Sequence, residues 1–196
     1  SDIDGEAAGD YSGTSVSLSD DGTVVAIGAS LNGSQSGHVR IYQNVGGTWT
    51  QVGSDIDGEA LGNISGTSVS LSADGSVVAI GAPGNNGVNG DYSGHVRIYQ
   101  NFNGTWIKLG DDIDGEARYD ESGGSVSLSA DGSVVAIGAE YNEGNGDYSG
   151  HVRIYQYLNY NWIQLGSDID GEAAFDSSGG SVSLSADGSV VAIGAT

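Results

Sequence analysis

Two apolar patterns alternate along this chain at regular intervals. The first is strict alternation: in SVSLS, Val16 and Leu18 fall on one face and the serines on the other. The string recurs at Ser15, Ser68, Ser125 and Ser181. The second is a continuous run, VVAIGA, starting at Val24, Val77, Val134 and Val190. Alternation predicts a strand with one buried face, and a short continuous run predicts a strand buried on both. An Asp-Gly pair separates the two, as at Asp74-Gly75, which is a strong hairpin signal. GHVRIYQ at Gly37, Gly94 and Gly150 alternates again, with Val39 and Ile41 opposed to Arg40 and Tyr42. A fourth strand carries Trp49, Trp106 or Trp162, and Gly46-Gly47 or Asn103-Gly104 precedes it in the first two copies. No segment has a helical period, and glycine is too dense for helices.

The unit of four strands repeats. DIDGEA begins at Asp2, Asp55, Asp112 and Asp168, at spacings of 53, 57 and 56 residues. The copies divide the chain into residues 1–53, 54–110, 111–166 and a half unit, 167–196, within one continuous domain. Four antiparallel strands in about 55 residues, repeated head to tail, predict an all-β fold, a β-propeller of four-stranded antiparallel blades. A parallel β-helix needs a shorter coil, and a β-sandwich needs roughly 100 residues per unit. The serine-lined strand is expected innermost, where small side chains suit the crowding. The Trp strand is expected outermost, covering the gap between blades. The half unit has two strands where four are needed, and its open edge invites pairing. The expected partners are further blades from a longer parent chain or a second copy.

The run SGTSVSLSADGSVVAIGAPGNN…SGHVRIYQ resembles the FG-GAP repeat of integrin α-subunit propellers. The GAP is literal at Gly81-Ala82-Pro83 and reads GAS, GAE and GAT elsewhere, and Ser-Gly or Gly-Gly replaces the leading Phe-Gly. SVSLSADGSVVAIGA also looks like the first two strands of a WD40 blade. The resemblance covers the whole chain and rests on strand signatures. It implies a seven-bladed ring, twice this chain's length, serving extracellular adhesion and ligand binding. The family's calcium loop, between the first two strands, carries several Asp and Asn. Here it is Ser-Ala-Asp-Gly-Ser, so calcium is not expected there.

Composition narrows the partners. Five Lys and Arg against 26 Asp and Glu leave a net charge of −21. Nucleic acid phosphates and anionic lipid surfaces repel such a chain. No apolar run is long enough for a membrane span, so neither nucleic acid binding nor membrane insertion is expected. With no Cys, thiolate nucleophiles, disulfides and zinc–thiolate sites are excluded.

The best candidate chemistry is the acidic loop between blades. It holds Asp2, Asp4, Glu6 and Asp10 in the first copy and Asp55, Asp57 and Glu59 in the second, where Asn63 replaces the last acid. The third has Asp112, Asp114, Glu116 and Asp120, and the fourth Asp168, Asp170, Glu172 and Asp176. Alternating oxygen ligands around a glycine suit Ca²⁺, although the EF-hand pattern is not met. The alternative is a solvated turn capped by Asx hydrogen bonds. His38, His95 and His151 fall in separate blades and are not expected to converge on one metal. Arg40, Arg97 and Arg153 are expected to pair with acids of a neighbouring blade. Tyr92 and Tyr148, in Gly- and Asn-rich loops, could stack on a sugar, and a flexible hairpin is the alternative. Trp49, Trp106 and Trp162 could form a ring of sugar sites, and interblade packing is the alternative.

Asn32, Asn63 and Asn103 lie in glycosylation sequons within expected turns. No serine sits in a nucleophile elbow, no phosphate loop is present, and no copy breaks the symmetry as a catalytic site would. The sequence therefore predicts a non-catalytic extracellular structural or adhesive module contacting protein or glycan on a cell surface or in a matrix. The competing class is a repeat lectin with one carbohydrate site per blade.

Overall fold

The computed structural model describes residues 2–196. The first blade pairs β1 (Ser12–Leu18), β2 (Val24–Ala29), β3 (His38–Val45) and β4 (Thr48–Gln51) in sequence order, all antiparallel. A four-residue helical turn, α1 (Asn32–Gln35), lies between β2 and β3. A short fifth strand, β5 (Ile56–Asp57), pairs with the start of β3, placing Ile56 opposite Val39 and Asp57 opposite His38. The second blade repeats this with β6 (Ser68–Leu71), β7 (Val77–Ala82), β8 (His95–Phe102), β9 (Thr105–Lys108) and β10 (Ile113–Asp114). The third has β11 (Ser125–Leu128), β12 (Val134–Ala139), β13 (His151–Leu158), β14 (Asn161–Gln164) and β15 (Ile169–Asp170). A two-stranded sheet, β16 (Ser181–Leu184) and β17 (Val191–Gly194), completes the described chain. The four expected strands are present, and the Ile-Asp of the following repeat adds a fifth. Each sheet thus borrows a strand from the next copy.

The apolar cores lie between successive blades. Val24, Ala26, Val39, Ile41 and Ile56 of the first blade pack against Val69, Leu71, Val78 and Ile80 of the second. Val77, Ala79, Val96, Ile98 and Ile113, on the second blade's other face, pack against Leu128, Val135 and Ile137. β7 therefore sends Val78 and Ile80 one way and Val77 and Ala79 the other, which is why its run is unbroken. The first blade shows what packing supplies. Val16 and Leu18 of β1 are 64% and 58% exposed, whereas their counterparts Val69 and Leu71 are 9% and 7% exposed against a preceding blade.

The innermost strands are laced by serine. Leu71 N–H donates to Ser17 Oγ at 2.9 Å, and Leu128 and Leu184 repeat the bond at 3.0 Å to Ser70 Oγ and Ser127 Oγ. Ser15, Ser68 and Ser125 donate 2.7 Å bonds to the carbonyls of Gly66, Gly123 and Gly179 in the following blade. At the outer rim, Trp106 Nε1 donates to Val52 O at 2.9 Å and Trp162 Nε1 to Leu109 O at 2.8 Å, each reaching the preceding blade. The Asp-Gly hairpins are tied by their own acids. Asp74 Oδ1 accepts from Ser72 Oγ at 2.7 Å and from Ser76 N–H at 2.9 Å, and Gly75 takes the left-handed position at φ 69°.

Candidate functional site

The acidic loops and the loops between β2 and β3, β7 and β8, and β12 and β13 gather at one end of the blades. Register explains why: β5 ends beside His38, at the start of β3, so the acids that follow turn over the β3 N-terminus. Three mixed clusters result: Glu6–His38–Asp55, Glu59–His95–Asp112 and Glu116–His151–Asp168. In each, one ligand atom per residue lies within 4.8 Å of the other two. This corrects the expected grouping. Among the described residues, each cluster draws its acids from two successive loops and adds a buried histidine that the spacing did not reveal.

The remaining acids have other work. Asp10, Asp120 and Asp176 turn back onto their own loops, accepting from the N–H groups of Ala7, Ala117 and Ala173 at 2.8–2.9 Å. Asp57, Asp114 and Asp170 sit in the short fifth strands. The Asp4 and Asp114 carbonyls accept from Arg40 and Arg153 at 2.8 and 2.7 Å. Asp2 is exposed at the chain start, and Glu172 is an exposed member of the fourth loop. Asn63 is 3% exposed with its amide nitrogen enclosed, which removes it as a glycan attachment point in the folded chain. The loop folds under itself there, as it does at the buried Asp120. Asn32 is half-buried and bonds Glu6 and Asp10, and Asn103 is exposed in the β8–β9 turn.

The three clusters are not equivalent. His38 Nδ1 stands 3.7 Å from Glu6 and 3.8 Å from Asp55; His151 Nδ1 stands 4.0 Å from Glu116 and 3.9 Å from Asp168. In the second cluster Arg97 leaves the backbone and grips Asp112 with Nε and Nη2 at 2.9–3.1 Å, while also pairing with Glu59. Lys108, where the other copies have Gln51 and Gln164, adds a 2.6 Å bond to Asp112. Burial would push the Asp112 carboxyl up, but the bonds from Arg97 and Lys108 outweigh it and hold it below the usual range. Burial first, then the neighbouring Arg97, drives His95 down to about 4. Burial and Arg153 likewise lower His151. Burial raises Glu116 despite Arg153.

Beside these clusters lies an aromatic band. Tyr92 stacks on Tyr119 with centroids 6.0 Å apart, and Tyr148 meets Phe175 at 6.0 Å and Tyr141 edge-on at 5.8 Å. The Tyr92–Tyr119 and Tyr148–Phe175 pairs each join a loop to the following acidic loop: Tyr119 and Phe175 N–H donate to Asp91 and Asp147 carbonyls. Asn89 and Asn145 anchor the same loops to the Gly115 and Gly171 carbonyls at 2.7 and 2.8 Å. An open hollow of about 370 Å³ is lined by Tyr119, Glu121, Tyr141 and Tyr148. Burial and the nearby Glu140 push the Glu121 carboxyl up. The first blade lacks this pair, because its β2–β3 loop carries no Asp-Tyr and Gly62 of the following acidic loop occupies the position of Tyr119 and Phe175. Trp106 and Trp162 pack between blades instead, as the alternative to a sugar site had it.

No family model matches the chain, and no curated protein matches it. Solved structures do. A protein of Bacteroides uniformis designated a 6-phosphogluconolactonase matches with TM-score 0.55 and 15% identity, over 91% of this chain and 42% of that one. Hydrazine synthase of Kuenenia stuttgartiensis matches with TM-score 0.56 and 15% identity, over 92% of this chain and 58% of that one. This chain thus spans roughly half the length of each. Stacked four-stranded antiparallel blades and these likenesses define the class: the fold is a β-propeller, here an open arc. Both similar proteins are named as enzymes, which overturns the expectation that the chain is not an enzyme. The unbroken repeat symmetry does not separate this architecture from catalytic relatives of the fold. No helix among the described residues is long and apolar enough to cross a membrane.

Proposed function

We propose that the chain is part of an extracellular structural or adhesive propeller, contacting a protein or glycan partner through the aromatic band of its second and third blades. The observation that carries this is conformational. Tyr92, Tyr119, Tyr148 and Phe175 all sit at positive φ, between 51° and 70°. Bulky residues in that region cost about 1–3 kcal/mol each, and glycine adopts it freely. Two copies do place glycine at the Tyr119 and Phe175 positions. Retaining large, half-exposed rings at a strained position, on the open end of the blades, favours a role in contact rather than in folding. The FG-GAP-like strand signatures and the strong acidity support an extracellular setting, and further blades would flank this arc.

The lectin reading is favoured by the 370 Å³ hollow, whose tyrosine faces and Glu121 would suit a sugar ring and its hydroxyls. It would have sites at the second and third blades rather than one per blade. Screening the chain on a glycan array and a panel of matrix proteins tests both readings. Tyr92→Ala, Tyr119→Ala, Tyr148→Ala and Phe175→Ala combined in one variant should abolish the binding found, with the far-UV circular dichroism unchanged. Binding that survives this fourfold substitution would refute the proposed surface.

A further inference from the structure

We propose that the clusters at His38 and His151 each bind a borderline transition-metal dication, of which Zn²⁺ is the type, and that the cluster at His95 does not. The donor set is one imidazole nitrogen and two carboxylate oxygens, a combination suited to zinc and its neighbours more than to the oxygen cage of calcium. The His38 and His151 side chains are 2% and 1% exposed, and Nε2 of each has no hydrogen-bond partner. Their Nδ1 atoms face the carboxylates across 3.7–4.0 Å, beyond hydrogen-bond reach. Two coordinate bonds of about 2.0–2.2 Å would span that gap. The acids are half-exposed, leaving an entry path and room for water to complete the shell.

The arginines decide which copies are available. In the first cluster the two oxygens of Glu6 are divided: Oε1 lies 3.9 Å from Arg40 Nη1, and Oε2 faces His38. Glu116 is divided in the same way, with Oε1 3.4 Å from Arg153 and Oε2 towards His151. In both, the guanidinium is tethered to a backbone carbonyl, outside the cluster. In the second cluster Arg97 and Lys108 already neutralise Glu59 and Asp112. Those two cations already hold carboxylate oxygens that the ion would need.

Titration calorimetry of the chelator-stripped chain with zinc chloride, in a non-coordinating buffer, tests this. Two equivalents should bind. Glu6→Gln and Glu116→Gln, both at half-exposed positions that spare the core, should each remove one equivalent or weaken it by more than about tenfold. His38→Gln and His151→Gln should do the same, and Glu59→Gln should change nothing. Calcium chloride should bind more weakly than zinc at these sites. Absence of zinc binding, two equivalents that survive both glutamate substitutions, a third equivalent lost in Glu59→Gln, or tighter calcium binding at the same stoichiometry would each overturn the proposal.

Discussion

Replacing Gly81 with alanine places one methyl group at the junction of two blades. Gly81 lies in β7, where a Cβ would fall inside contact distance of the Gly123 carbonyl oxygen of the next blade and of Ser68 Oγ. Backbone conformation is not the obstacle, since Gly81 is absent from the positive-φ glycines. The obstacle is that Gly123 O is backbone, held by the 2.7 Å bond from Ser68 Oγ, and has no rotamer to escape into. Overpacking of about 1–3 kcal/mol and one disrupted hydrogen bond of about 0.5–1.5 kcal/mol combine to about 2–4 kcal/mol. For a chain of this length that is a fall in Tm of about 4–16 °C. The repeat supplies the control. Gly194 is the same position in β17, and a Cβ there meets only Ser181 of its own sheet. Thermal unfolding followed by circular dichroism, with urea titration read by Trp fluorescence, should show Gly81→Ala strongly destabilised and Gly194→Ala far less. Equal effects in the two variants would refute the claim that blade-to-blade approach, rather than the strand itself, requires glycine.

Three further outcomes follow from the geometry. Trp106→Phe should lose about 1 kcal/mol by forfeiting the bond to Val52 O, with Trp49→Phe near neutral because Trp49 has no such partner among the described residues; urea midpoints measure both. His95, held neutral at about 4 in the fold against 6.5 unfolded, contributes stability that is full above the unfolded value and is lost as pH falls from 6.5 towards 4. That loss is roughly 3 kcal/mol, and His95→Gln should flatten this part of the stability–pH curve recorded with chelator present. Asp131, held below the usual carboxylate range by the Ser133 N–H and the Ser129 and Ser133 hydroxyls, stabilises its hairpin only while ionised. Asp131→Asn should therefore weaken urea resistance at neutral pH and narrow the difference from the parent chain in acid.

The blades were legible because their signals are local. VVAIGA announces β2, β7 and β12 through an unbroken apolar run, and the Asp-Gly pairs announce the hairpins before them. The fifth strands were not legible, because Ile56–Asp57 is too short to show a period and its partner, His38–Val39, lies in the preceding repeat. The clusters were hidden for the same reason: a histidine, the acid 32 residues before it and the acid 17 residues after it in the first copy meet only once that register is known. Reading the acids loop by loop could not group Glu6 with Asp55, which the fold places on either side of His38. Asn63 misled because a sequon in a turn looks exposed, whereas this turn folds its side chain inward.

The serine bonds near the axis and the indole bonds at the rim have a mechanical consequence. They join neighbouring blades at two different radii, with the close-packed apolar contacts between them acting as a stiff web. Prising two blades apart from the centre loads the Ser17–Leu71 type of bond in tension, and splaying them at the rim loads the Trp106–Val52 type. The junctions of the first blade with the second and of the second with the third are therefore braced against bending in both directions, like a beam with ties on its upper and lower flanges. The borrowed fifth strand adds a third tie, since pulling one blade away must also unzip Ile56–Asp57 from β3. At these junctions a pull from blade to blade is therefore shared among three separate ties.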